Sequence, residues 1–213
     1  MSIIDILEHV NMMVMGRIEA WKNKWGFSYD TVYLNLGYDD GFKGIISGID
    51  YDLGIDARVW MNDFAVHYRL IDEPIGNDSG QRFTFEPYGG FRYMYLKQET
   101  SLDKNIPGVG STGETIGGSE DWVEPMVGGR IFWMLDDEFS FYLRGDAGGF
   151  GVGSASKLSW NIMPGFTCKL SENTTFDFGY RIFDMDYNRG SGTNTFGLDA
   201  KAYGPVLGLT VKY

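Results

Sequence analysis

Apolar and polar residues alternate with period two along most of the chain, and turn residues interrupt the alternation at regular intervals. This pattern predicts nine strands, at roughly 12–20, 25–36, 49–70, 82–98, 122–135, 138–150, 158–170, 175–187 and 196–213. Each has two unlike faces. In 82–98, Phe83, Phe85, Phe91, Tyr93 and Tyr95 oppose Thr84, Glu86, Tyr88, Gly90 and Arg92. In 138–150, Phe139, Phe141 and Leu143 oppose Ser140, Tyr142, Arg144 and Asp146. In 158–170, Leu158, Trp160, Ile162 and Phe166 oppose Ser159, Asn161, Thr167 and Lys169. In 175–187, Phe176, Phe178, Tyr180 and Ile182 oppose Asp177, Gly179 and Arg181. In the closing segment, Leu207, Leu209, Val211 and Tyr213 share one face. The strand over 49–70 shifts parity near Asn62 and Asp63, which predicts a bulge or break there. Residues 3–9 suit a short helical turn.

The connections alternate in length. Those near 21–24, 136–137 and 171–174 are tight. Those near 37–48, 99–121, 151–157 and 188–195 are longer and rich in Gly, Ser, Thr and Asp. Alternating short turns and long loops, with period-two faces, is the pattern of a membrane β-barrel. Only 71–81 departs from it, being long on the short-turn side.

The polar face carries arginines and acids together: Glu86 and Arg92, Glu124 and Arg130, Arg144 and Asp146, Asp177 and Arg181. A soluble barrel would turn these to water and crowd the aromatics inside. In lipid the arrangement inverts, with charges paired in the lumen and aromatics outside. The expected fold is therefore all-β, a single domain over 1–213 forming an antiparallel up-and-down transmembrane β-barrel. Residues 1–10 precede its first visible strand.

Composition agrees. Glycine makes up 30 of 213 residues, about twice its ordinary share, with no collagen period. Turns and crowded barrel positions account for that excess. The formal charge of −11 argues against nucleic acid as a partner, because phosphate binding needs basic patches. A single cysteine, Cys168, excludes an internal disulfide and reads as a small apolar side chain on a strand. No run of about 18 apolar residues is present, so no transmembrane helix is expected. The opening MSIIDILEHV has neither the basic start nor the cleavage site of a signal peptide.

Several stretches look familiar together: GRIEAWKNKWGFSYDTVYLNLG (16–37), YGGFRYMYL (88–96), DWVEPMVGGR (121–130), LRGDAGGFGVGS (143–154), FGYRIFDMDY (178–187) and YGPVLGLTVKY (203–213). Through them the chain resembles a family of small bacterial outer-membrane β-barrel proteins, porin-like and loosely related to the OmpA type. The tail also fits the signal read by barrel-assembly machinery, with Gly208, Val211 and Tyr213 at its positions. The resemblance implies a Gram-negative outer membrane, contact with its lipid and lipopolysaccharide, no enzymatic activity and no catalytic residues. Family members usually carry a signal peptide and one further strand before the segment that starts here near residue 10. Strand parity points the same way, since single-chain bacterial barrels have even strand numbers and nine are visible. A closed barrel of about eight to ten strands is expected, with residues 1–10 or a neighbouring chain filling the gap. A homo-oligomer would serve that purpose.

Enzyme chemistry finds little support in the residues. His9 and His67 lack partners at metal-ligand spacing, so neither a metal nor a cofactor is expected. No serine is placed beside a histidine by sequence alone. GDAGGFGVG (145–153) has phosphate-loop-like glycines, but a strand rather than a helix follows. Trp21, Trp25, Trp122, Trp133 and Trp160 lie near strand ends and are expected to anchor the barrel at its interfaces. The leading expectation is a porin-like barrel passing small solutes by limited passive diffusion. The alternative is a non-conducting structural or adhesion barrel acting through loops 37–48 and 99–121.

Overall fold

The structure is a computed structural model. It describes residues 10–43, 50–75, 80–106, 110–153, 155–189 and 196–211. The expected helical turn at 3–9 lies outside these. Among the described residues all regular structure is strand: β1 (Val10–Lys22), β2 (Trp25–Lys43), β3 (Asp50–Tyr68), β4 (Ile71–Pro74), β5 (Arg82–Ile106), β6 (Gly110–Met134), β7 (Phe139–Gly148), β8 (Leu158–Lys169), β9 (Thr174–Arg189) and β10 (Phe196–Val211). They form one sheet in the order β1-β2-β3-β5-β6-β7-β8-β9-β10, with short β4 paired to β5 off this path. Apart from β4, neighbours follow one another in the chain, and β6–β7, β7–β8, β8–β9 and β9–β10 pair antiparallel, so the topology is up-and-down. Among the described residues, β1 and β10 end the order and do not pair with each other.

The tight turns are where the alternation stops. Asn23, at φ 56°, turns β1 into β2. Asp136 caps the β6–β7 turn, its Oδ1 accepting from the Glu138 and Phe139 amides at 2.8 and 2.7 Å. The β8–β9 turn closes through Leu170 N donating to Thr174 O at 2.9 Å.

Four expectations need correction. Most of the loop expected over 99–121 is strand, because β5 and β6 continue as one long hairpin. That extension is polar on both faces, so it has no hydrophobic period to reveal it. β2 likewise runs on to Lys43. The long connection at 71–81 instead begins with β4, whose Ile71 to Pro74 pair with Phe85 to Arg82. The bulge near Asn62 and Asp63 is absent: Met61, Asp63, Ala65 and His67 are all buried while Trp60 and Val66 are exposed, so one parity holds throughout. Asn62 sits on the exposed parity yet is buried, because its Oδ1 accepts from Thr31 Oγ1 at 3.0 Å.

The chain forms two compact units. One comprises Met1–Arg17, Asp30–Asn62 and Tyr93–Trp122; the other comprises Ile18–Tyr29, Asp63–Arg92 and Val123–Tyr213. In the first, the buried apolar side chains are Met61, Met94, Leu96 and Trp122. The second has an unusual interior. Its sheet curls tightly enough that side chains meet across intervening strands, as when Arg92 of β5 reaches Ser159 of β8 at 3.2 Å. What it buries there is chiefly charge.

Candidate functional site

The inner parity of β5 to β9 in the second unit places Glu86, Tyr88, Arg92, Glu124, Arg130, Tyr142, Arg144, Asp146, Ser159 and Asn161 in the buried set. Arg92 lies at the centre, 0% exposed. Its Nε and Nη2 donate to the two Asp63 oxygens at 2.7 and 3.0 Å, and Nη2 also donates to Asp146 Oδ1 at 2.7 Å. Asp146 Oδ2 accepts from Tyr88 OH and from Asn161 Nδ2, both at 3.0 Å. Arg144 Nε donates to Tyr88 OH at 3.0 Å, and Arg181 Nε donates to Asn161 Oδ1 at 2.7 Å. Glu124 takes hydrogen bonds from Ser156 and Ser159 and stands 3.8 Å from Arg92 Nη1. Ser156 belongs to the β7–β8 loop, so this loop is pinned onto the cluster. Gly149 N, donating to Pro125 O at 3.0 Å, pins its other end.

A second layer lies toward the tight turns. Arg130 Nη2 donates to Glu86 Oε2 at 2.7 Å and Nη1 to Glu19 Oε1 at 2.5 Å. Arg69 Nε donates to Glu86 Oε1 at 2.9 Å, and its guanidinium stacks 4.5 Å over the Trp21 ring. Below these, Asp72 is held under the ordinary carboxylate range, chiefly by the hydrogen bond from Arg82. His67 joins the layers, with its ring 4.7 Å from that of Tyr88. Across both layers, Arg69, Arg92, Arg130, Arg144 and Arg181 stand with Glu19, Asp63, Glu86, Glu124 and Asp146, so the group is formally neutral.

The opposite parity is apolar and exposed. Val123, Val127, Phe91, Phe139, Phe141 and Phe166 all point away from the cluster, as do Leu207 and Leu209 at 68% and 67% exposure. Rings stack along this outer face, Phe64 on Phe91 at 4.9 Å and Phe166 near Phe178 at 5.1 Å. A water-soluble domain has the reverse distribution.

Of the sequence-predicted charges, Glu86, Arg92, Glu124, Arg130, Arg144, Asp146 and Arg181 all fall in this network. Asp177 stands apart, accepting from Thr210 Oγ1 at 2.6 Å near the strand end. Arg144 and Asp146 do pair along their own strand, at 4.0 Å, but other pairings differ from a reading along single strands. Glu86 serves Arg130 and Arg69 rather than Arg92, and Arg130 serves Glu86 and Glu19 rather than Glu124. Same-face neighbours within a strand are about 7 Å apart, whereas cross-strand neighbours are about 5 Å apart, so pairing runs across. Asp63, Glu19 and Arg69 were not foreseen. Asp63 and His67 share the inner parity with Met61, a regularity that the supposed bulge concealed. The structure also brings Ser28 Oγ to 2.8 Å from His67 Nε2, both buried. Trp122 is buried, and Trp21 lies under Arg69, so neither is an interfacial anchor; Trp25 and Trp133 are exposed on the apolar face. Of the terminal signal, Gly208 and Val211 lie on β10, and Tyr213 is outside the described residues.

Burial separates the effects of two substitutions. Arg144→Ala is expected to lower the denaturation midpoint well beyond Lys97→Ala. Arg144 is buried among the cluster, while Lys97 forms a one-third-exposed surface pair with Glu99. Urea unfolding of both variants checks the order, and equal midpoints would count against an internal network.

Compared with protein families and with curated proteins, the chain matches none.

Proposed function

We propose that this chain is an outer-membrane β-barrel protein of a Gram-negative bacterium that acts as a non-conducting structural barrel and presents its long hairpins to partners. The observation that carries this reading is the inverted side-chain distribution of the second unit: a neutral, hydrogen-bonded charge cluster is buried while the apolar parity is exposed. Exposed Leu, Val and Phe rows suit lipid, and paired charges suit an interior screened from it. Spanning a bilayer takes about 9–11 residues per strand. The 25 residues each of β5 and β6 leave a long part of that hairpin in water. Lipid and lipopolysaccharide are then its surroundings, and the β10 tail its address to the assembly machinery.

The porin-like reading draws on the same arginines and acids as a constriction that selects small solutes. It needs a continuous water path. Arg92 and Glu124 are fully buried and tied to neighbours on several strands, which favours a sealed cluster. Small barrels are commonly filled by their own side chains.

Planar-bilayer recording on protein refolded in detergent, with insertion verified by protease protection, separates the two readings. The non-conducting barrel is expected to be silent. Steady discrete openings would replace it with the porin-like reading, and their ion selectivity would report the lining charge. Protein that stays soluble and folded without detergent would remove the membrane reading itself.

A further inference from the structure

The register of β6 against β7 begins at Met126↔Gly148 and runs to Met134↔Ser140. Among the described residues, β7 therefore covers only the C-terminal part of a strand that starts at Gly110. The stop lies in the partner strand: Gly149, at φ 88°, still donates its N–H to Pro125 O at 3.0 Å, and the chain then turns away into the β7–β8 loop.

The same bond fixes the direction of the backbone groups before it. In an antiparallel strand both polar groups of a residue point to one side, and the side alternates. Pro125 O points toward the β7 side, so Ser111, Gly113, Thr115, Gly117 and Ser119 present their N–H and C=O groups to that side too. Thr112 to Ser119 are exposed on both faces, Ile116 at 71%. The other side of this stretch is occupied by β5: a Cβ added to Gly117 would lie 2.7 Å from Gln98 O. The result is a strand edge with small side chains and a row of backbone donors and acceptors.

Charge narrows what can pair there. No Lys or Arg occurs between Lys104 and Arg130, while Glu114, Glu120 and Asp121 do. Such an edge repels a copy of itself, and it repels phosphate-bearing lipid or nucleic acid. We propose that the Ser111–Ser119 edge of β6 receives an extended basic polypeptide segment by strand addition. Backbone hydrogen bonds would supply the affinity, and lysine or arginine side chains facing Glu114 would supply the preference. This is independent of whether the barrel conducts.

The test uses the full chain refolded in detergent and a fluorescent peptide alternating Lys with Thr, followed by anisotropy. Two controls are the same peptide with alternate backbone nitrogens methylated and a peptide alternating Glu with Thr. The Lys peptide is expected to bind, the methylated one at least about tenfold more weakly, and the Glu peptide not at all. Thr115→Pro, which removes one outward N–H as Pro125 does, should weaken binding of the Lys peptide similarly. Equal binding of the methylated peptide would reduce the contact to bulk electrostatics and overturn strand addition. So would absence of binding, or a change in oligomeric mass on Thr115→Pro, which would assign the edge to a second copy. If Thr115→Pro fails to fold, the methylated peptide still decides.

Discussion

Arg92→Ala is expected to destabilise the protein by roughly 3–5 kcal/mol, the range for removing one partner of a buried ion pair. The guanidinium is fully buried and donates three hydrogen bonds to Asp63 and Asp146 and a fourth to Ser159. Removing it leaves two carboxylates with less compensation in an interior that solvent does not reach, and that penalty outweighs the lost packing. The identity of the charge is therefore less important than its balance. Replacing Asp63 alone by Asn in an Arg92→Met background, which keeps the cluster neutral and leaves Asp146 to Arg144, should recover much of the loss, because neutral groups of similar shape need fewer bonds. Equilibrium urea unfolding in lipid vesicles, followed by tryptophan fluorescence, measures both. A loss below about 1 kcal/mol for Arg92→Ala would place the residue in contact with water. No recovery in the double variant would mean that specific hydrogen-bond geometry, not charge balance, holds the cluster.

Strand positions and their two faces were legible because a half-buried strand writes its environment every second residue. Glu86, Arg92, Arg144 and Asp146 were assigned to one face on that basis, and all four are buried together. Which partner each would take was not legible. Cross-strand distances depend on register, and register depends on turns and hairpin lengths that the alternation does not encode. Asp63 illustrates the limit. Asn62 is a polar residue on the apolar parity, and without knowing that Thr31 satisfies it, the simplest reading was a bulge. That reading moved Asp63 and His67 off the inner face and hid both Arg92's main partner and the Ser28–His67 contact. The hairpin beyond Gln98 was missed for a different reason. With both faces of β6 exposed over Thr112 to Ser119, neither face carries a consistent apolar signal, and only backbone pairing makes the segment a strand.

Gly90→Ala should be the most damaging conservative change on the sheet. In an unstrained site, replacing Gly by Ala stabilises by about 0.4–1 kcal/mol through the unfolded state. Here an added Cβ would lie 1.8 Å from Phe64 O and 2.9 Å from Ala65 Cα. Both are main-chain atoms of β3, held by the β3–β5 pairing, so relief requires the strands to part. Overpacking typically costs about 1–3 kcal/mol and occasionally more, and a main-chain obstruction belongs at the upper end. Gly179 provides the contrast. There the added Cβ would meet the Tyr142 hydroxyl at 2.4 Å, with Pro164 O at 3.1 Å and the ring carbon Cζ at 3.4 Å. Tyr142→Phe removes the nearest obstacle, so Gly179→Ala should be appreciably milder in that background. Gly90→Ala should lose as much stability with Tyr142→Phe as without it, since no side chain stands in the way. Measured as a double-mutant comparison by urea unfolding, rescue of Gly179→Ala alone supports the packing described for both sites. A neutral or stabilising Gly90→Ala would mean that β3 and β5 are not in this register.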